Sequence, residues 1–329
     1  MRTGRAHKRE FAAAALLPWL LLCALALPGY SAESFSSGSA GTASGQFLKI
    51  AAGARGAALG EAYSALADDA FALDWNPAGL INIKKNSMAF MHAPYLTGAF
   101  VDYFAYAETA GDVGSWGLSM KYMNYGKISR TDSSGLALGD FTPYDAAVSV
   151  GFACYVTGFN KDPEERFVLG ATGKFVKSRI LSEDNTVSAD IGLNMPYMFD
   201  NNFRMSLTAQ NIMGTLRYDR EQAPLPLILR LGTVTKLSDY FNLTGDIIAA
   251  RDNLPFVAMG GEVKIPIYDE MDTFLRAGFN TRAISDLGGT RNVSFGAGLR
   301  YTDYNLDYAF SPFGDLGSVH RISVSMIFK

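Results

Sequence analysis

From Asn86 to the C-terminus, apolar and polar positions alternate with a period of two, the spacing of strands whose two faces meet different surroundings. Four segments show it best: 116–122, 293–299, 304–310 and 322–328. Taking every second position gives Trp116, Leu118, Met120, Tyr122, Val293, Phe295, Ala297, Leu299, Tyr304, Leu306, Tyr308, Phe310, Ile322, Val324, Met326 and Phe328, all apolar or aromatic. The intervening positions are mostly Gly, Ser, Asn or charged, with only Met123, Ala309 and Ile327 apolar. A soluble β-sandwich also alternates. The number of such segments and the aromatic, charge-free character of their apolar faces point instead to an all-β transmembrane antiparallel barrel, whose outside is an apolar band with aromatic girdles and whose inside is polar.

Fourteen candidate strands begin near residues 86, 99, 114, 145, 166, 186, 203, 227, 241, 255, 272, 291, 303 and 319, an even number as closure requires. Starting from the periplasm, the long connections containing 124–143, 211–224 and 280–291 fall outside the cell. Tyr301–Asp303 and Leu237–Tyr240 are short inner turns, and the longer stretch 157–166 is an exception on the inner side. Barrel interiors accept charge, and the inward positions carry Lys121, Lys174, Asp190, Arg204, Asp246, Glu262, Lys264, Arg276, Arg300, Asp307 and Arg321. Both signs are present, which fits mutual pairing across a narrow interior, with a selective ion path as the alternative.

The first 85 residues do not share the two-residue period. Arg2, Arg5, Lys8 and Arg9 precede an apolar run from Phe11 to Leu27 and small residues at Gly29, Ser31 and Ala32, the order of a secretory signal peptide over 1–31. Pro18 and the short run argue against an anchor helix, and Cys23 lacks the small preceding residue of a lipoprotein site. Residues 32–46 are rich in Ser, Gly and Ala and read as a flexible leader. Residues 47–84 form the next unit, before the barrel of 85–329. Between Phe47 and Leu66, Ile50, Ala54, Ala57, Ala58 and Tyr63 recur at helical spacing among Gly53, Gly56 and Gly60, which predicts a short helix able to approach another surface closely. Pro77 then forces Asn76 out of helical geometry and ends it.

Charge and cysteine count narrow the function. The 29 basic and 32 acidic residues leave no surplus of positive charge for nucleic acid, and removal of 1–31 takes away four basic side chains and Glu10, moving the net charge from −3 to −6. Cys154 is then the only cysteine, which excludes an internal disulfide and a multi-cysteine metal site. The two remaining histidines, His92 and His320, lie on the first and last strands, which closure makes neighbours, so that the two could approach one another. No nucleophile elbow, zinc-binding His pair or calcium loop occurs, and Gly170, Gly173 and Lys174 imitate a phosphate loop only superficially, with Phe175 where Ser or Thr belongs. No catalytic residues, metal or cofactor are expected, and a barrel enzyme is the weakest alternative.

The segment Phe47–Leu80, with Asp68 and Asp69 upstream of the run Asn76, Pro77, Ala78 and a β-rich remainder after it, resembles the PorV/PorQ family of outer-membrane proteins. That family is similar in turn to FadL-type fatty-acid transporters, fourteen-stranded barrels with an N-terminal segment in the lumen. The resemblance implies that 47–83 form an inward hatch, with Asp68, Asp69, Asn76, Pro77 and Ala78 as its motif, and implies a role in type IX secretion or surface attachment with secreted cargo and secretion subunits as partners. The terminal strand Ile322, Val324, Met326, Phe328 matches a signal for the barrel assembly machinery, except that Lys329 follows the final aromatic. The expected setting is the lipid of the outer membrane. The alternative is a FadL-like channel for long-chain fatty acids or other hydrophobic small molecules.

Overall fold

The structure is a computed structural model and describes residues 34–156, 166–282, 292–314 and 317–328. Among these, eighteen strands follow two short helices, α1 (Ala54–Ala58) and α2 (Ala72–Trp75). The first nine are β1 (Asn86–Pro94), β2 (Phe100–Thr109), β3 (Ser115–Asn124), β4 (Ile128–Thr131), β5 (Ala137–Phe141), β6 (Tyr144–Tyr155), β7 (Val168–Arg179), β8 (Glu183–Asn194) and β9 (Phe203–Gln210). The rest are β10 (Thr215–Tyr218), β11 (Glu221–Pro224), β12 (Ile228–Ser238), β13 (Phe241–Ala250), β14 (Phe256–Tyr268), β15 (Met271–Asn280), β16 (Val293–Tyr301), β17 (Tyr304–Pro312) and β18 (Ser318–Phe328).

Fourteen of them close into one antiparallel barrel, in the order β1, β18, β17, β16, β15, β14, β13, β12, β9, β8, β7, β6, β3, β2. Every barrel strand starts within three residues of its expected position. The first and last strands complete the cylinder, in a register from Asn86 opposite Phe328 to His92 opposite Ile322. The remaining four strands form two hairpins, β4 with β5 and β10 with β11, inside two of the three long connections expected to project from one end. That end is called the loop end, and the end holding the start of β1 and the finish of β18 the turn end. Residues 157–165 and 283–291, in two further connections, lie outside the described residues, as does the signal segment 1–31.

Alternation sets the two faces. Phe104, Leu118, Met120, Val148 and Val150 are exposed on the outside, while Ala105, Ser119 and Lys121 between them are buried inside. Outward aromatics pack in two belts: Tyr106 with Trp116 and Phe328 near the turn end, and Phe100, Tyr122 and Tyr144 near the loop end. The polar outward pair His92–Asp102, 2.6 Å, sits in the loop-end belt. His92 and His320 do not meet: His320 contacts Tyr308 at 2.7 Å and Ser318 at 3.2 Å.

Barrel diameter grows with strand number, and a fourteen-stranded wall encloses more space than its own side chains fill. The segment 47–83 occupies that space and supplies much of the buried apolar cluster. Its helical content differs from the sequence reading, because the single helix expected over 47–66 is only α1. Gly53 and Gly60 bracket it with φ of 81° and 68°, left-handed geometry that ends a helix on both sides. The leader also departs from expectation. From Ser34 on it is docked at the loop end, not free: the Phe35 N–H donates to the Arg251 carbonyl at 2.7 Å and the Ser44 N–H to the Pro224 carbonyl at 2.8 Å. Hydrogen bonds to loop carbonyls hold it where apolar burial alone does not suffice.

Candidate functional site

Pro77 has no N–H to give a helix, so α2 stops at Trp75 and Asn76 turns to φ −160°. Its side chain then ties three pieces of chain together. The Asn76 Oδ1 accepts from the Ala78 N–H at 3.1 Å, and its Nδ2 donates to the Ser64 carbonyl at 2.9 Å and to Asn194 Oδ1 at 2.8 Å. The turn lies flat against the wall at Gly170 and Gly192, which face each other in the register of β7 and β8. A methyl group on Gly192 would stand 2.0 Å from Asn76 Oδ1, and one on Gly170 2.2 Å from the Ala78 nitrogen. Across the lumen Gly260 and Gly278, opposed in β14 and β15, give the same clearance to Leu59 and Gly60. Pairs of glycines in the wall are thus seats for the hatch.

The inward charges form chains rather than isolated ions. Glu262 accepts from Arg276 Nε and from Arg55 Nε of α1, both at 2.7 Å. Arg276 continues to Asp307 at 2.6 Å, and Arg55 continues to Asp68 at 2.6 Å. Lys121 pairs with Asp74 of α2 at 2.7 Å, and Lys174 with Asp190 at 2.7 Å. Arg204 donates to the Ala65 carbonyl, and Arg230 approaches Asp246 at 3.9 Å. Near the turn end Lys264 and Arg300 share Asp272 at 3.0 and 4.0 Å. Asp69, in the hatch, accepts from the Tyr63 hydroxyl and the Phe71 N–H, both at 3.0 Å. Burial first, and the adjacent Asp68 second, push its carboxyl up to about 7.

Arg321 is set apart from the other inward cations by its unsatisfied Nε. It is buried, at 4% exposure, and its Nη1 donates to Ser311 Oγ at 3.2 Å, but its Nε has no partner and it forms no ion pair among the described residues. It stands where two loop-end cavities meet. The larger, about 380 Å³, is a vestibule lined by Phe47, Ile50, Tyr95, Met123, Ile248 and Phe256, among others, with Arg230, Arg282, Arg321 and the carboxylate of Glu61 around it. The smaller, about 100 Å³, is a side pocket between α1 and the wall, where Asn280, Ser294 and Ser311 supply polar groups. Arg282 is already matched to Glu61. A third cavity of about 290 Å³ opens at the turn end beside Asp68, Asp69, Asn305 and Ser325.

The inward candidates read from the strand pattern therefore all reach the interior, and eight of them, Lys121, Lys174, Asp190, Arg204, Asp246, Glu262, Arg276 and Arg321, are buried there. The motif divides: Asn76, Pro77 and Ala78 are wedged on β7 and β8, whereas Asp68 and Asp69 face the turn-end cavity. Sequence reasoning missed Arg55, Glu61, Asp74 and Arg282, which sit where no period marks a face. It also missed Arg230, whose parity with Ile228 and Gly232 on β12 was signal enough.

Fold and site together define the protein as a closed fourteen-stranded antiparallel β-barrel of the outer-membrane type, its lumen filled by the N-terminal segment 47–83. The sequence matches the uncharacterised protein family UPF0164 over residues 27–209, more than half of the chain, and the chain belongs to that family. Among solved structures it is similar to a Pseudomonas aeruginosa FadL homologue, with a TM-score of 0.54 at 13% identity, covering 84% of this chain and 98% of that one. It is also similar to a mutant of the TodX monoaromatic hydrocarbon channel, with a TM-score of 0.53 at 14% identity, covering 85% and 99%. No curated protein matches the sequence.

Proposed function

We propose that the protein is a non-catalytic outer-membrane channel that takes an amphiphilic small molecule with a negatively charged head into the loop-end vestibule. The observation that carries this reading is Arg321, a buried guanidinium with an unpartnered Nε at the junction of an apolar vestibule and a polar side pocket. Glu61 lines the same cavities but is engaged by Arg282, so Arg321 is a buried cation with no direct ion pair, which is costly, and a carboxylate or phosphate on the solute would offset that cost while its apolar body lies against Phe47, Tyr95 and Phe256. The similarity in fold to a FadL homologue and a hydrocarbon channel supports it. No cofactor takes part.

Fluorescence titration with dansyl-labelled undecanoic acid on the detergent-solubilised protein tests it. Saturable binding is expected, weakened about 10- to 100-fold by Arg321→Gln, the loss of one charge-assisted hydrogen-bonded contact. Undecanol competes weakly and equally in both proteins. No saturable binding, or binding indifferent to Arg321, overturns the reading.

A second reading, a role in protein secretion or surface attachment of the PorV/PorQ kind, draws on the hairpin β4–β5. It projects from the loop end with Ile128, Leu136 and Leu138 exposed at 43%, 66% and 51%, a surface suited to a polypeptide partner. Affinity purification from native membranes decides it: recovery of a secreted protein or a secretion subunit favours it, and repeated recovery of neither removes it.

A further inference from the structure

The loop-end side pocket and the turn-end cavity lie along the same stretch of wall. Ser294, Ser311 and Arg321, from β16 to β18, line the first, and Ser87, Asn305 and Ser325, from β1, β17 and β18, line the second. Between the two, the inward positions of β17 and β18 are the small, buried Ala309 and Ser323 and, nearer the turn end, Asp307, which Arg276 holds at 2.6 Å. The hatch element pressed on them is α1.

α1 runs out into Leu59 and Gly60, seated on Gly260 and Gly278, and its hydrogen bonds to the wall are made by wall side chains, beginning with the Gly53 N–H, which meets Met91 Sδ at 3.1 Å. The Ala54 N–H donates to Ser323 Oγ at 2.7 Å, the Gly60 N–H to Ser294 Oγ at 3.0 Å, and Ser294 Oγ donates to the Ala58 carbonyl at 3.0 Å. Among the described residues no backbone-to-backbone hydrogen bond joins α1 to the wall. Five residues are too few for a helix to hold its shape alone, and Gly53 and Gly60 at its two ends have the freedom of pivots. The one ionic tie, Arg55 to Glu262, can part without orphaning either side, because Glu262 keeps Arg276 and Arg55 keeps Asp68.

Elsewhere the way is shut. The Asn76 turn is seated between Gly170 and Gly192, and the ladder of β7 with β8 runs unbroken over twelve residue pairs. The shortest barrel ladder, β8 with β9, has four pairs. The gap above it is filled by the chain at 211–212, where the Asn211 N–H donates to Asp190 Oδ1 at 2.8 Å and the Ile212 N–H to the Ala189 carbonyl at 3.0 Å.

We propose that α1 is a gate that swings off β17 and β18 about Gly53 and Gly60, joining the side pocket to the turn-end cavity, so that the solute leaves through the turn end and not sideways through the wall. The solute is the one assigned above, and the gate rests on that reading only for what passes through it.

A disulfide lock tests the gate in the full-length protein. In a Cys154→Ser background, Ala54→Cys with Ser323→Cys fixes α1 to β18, while Ile191→Cys with Ala209→Cys, register partners on β8 and β9, fixes the wall seam. Each protein is placed in a planar bilayer in potassium chloride. The reduced first pair is expected to show discrete openings that vanish on oxidation and return with dithiothreitol, and the second pair is expected to open in both states. Ser323→Ala with Ser294→Ala, which removes the fastening without cysteine, is expected to raise the open fraction severalfold. Openings that survive the first lock, an absence of openings in the reduced protein, or openings abolished by the second lock overturn the gate. Binding of dansyl-undecanoic acid to the same samples separates the two ideas: gated openings without binding uphold the gate and overturn the assignment of the solute.

Discussion

At Gly192 the missing side chain is what lets Asn76 reach the wall, and the clearance is small enough to be decisive. An alanine there would place its methyl group 2.0 Å from Asn76 Oδ1, so the turn must retreat and lose its bonds to Asn194 and Ser64. Overpacking and an unsatisfied buried amide each cost about 1–3 kcal/mol. Gly192→Ala is therefore expected to lower stability by about 2–4 kcal/mol, read as an earlier loss of the compact gel form on heating. Gly173→Ala on the neighbouring strand β7, where the new methyl meets nothing within 4 Å, is expected to leave the transition unmoved and controls for glycine loss from the same wall. At Asp69 protonation decides the outcome. Its carboxyl is held near 7 against an ordinary 3.8, so the fold disfavours the ionised form. Stability owed to this residue is then full below about 3.8, falls as pH rises between about 3.8 and 7, and is lowest above that window. Asp69→Asn should flatten that slope and stabilise the protein at pH 8 relative to wild type. A slope of unchanged size in the variant would assign the titration to other groups.

The elements differ in how far a single chain of letters reveals them, and the reason is physical. A barrel strand lies between lipid and a polar lumen, so its two-residue period is imposed at every step, and starts such as 86, 203 and 241 can be read directly. The inward charges come with that parity. The hatch has no such boundary, since every side of it is enclosed by protein, and α1 and α2 are set by where glycine seats occur in the wall. Those seats join residues far apart in sequence, Gly296 against Ala58 and Gly232 against Ser64, so local spacing predicts a helix that the wall does not accommodate. Arg55 and Asp74 are invisible for the same cause: their partners, Glu262 and Lys121, lie on strands that only closure brings near. Composition misreads the leader, because it reports the apolar area the leader lacks and not the carbonyls it meets. Asn76 and Pro77 are legible in part, as a stop to the helix, while the buried amide that grips β8 is not.

For the whole molecule, the path of the chain fixes a sidedness. The leader is bonded to Arg251 and Pro224 at the loop end, and β1 starts at the turn end beside Phe328, so residues 47–83 carry the chain through the lumen from one end to the other before the wall begins. The leader and the hairpin β4–β5 must therefore face the same compartment, and with long connections outward that compartment is expected to be the cell exterior. Gly41 and Gly135 both stand in open space, where added atoms meet nothing within 4 Å, and suit insertion of an epitope. On intact cells both epitopes are expected to bind antibody, whereas one placed at Asp239, in the short connection between β12 and β13, is expected to do so only after the membrane is permeabilised. Unequal labelling of the first two would mean that the leader does not dock at the loop end. Equal protection of both, with Asp239 accessible, would mean that the barrel sits in the membrane the other way round, and would turn the vestibule around Arg321 from an entrance into an exit.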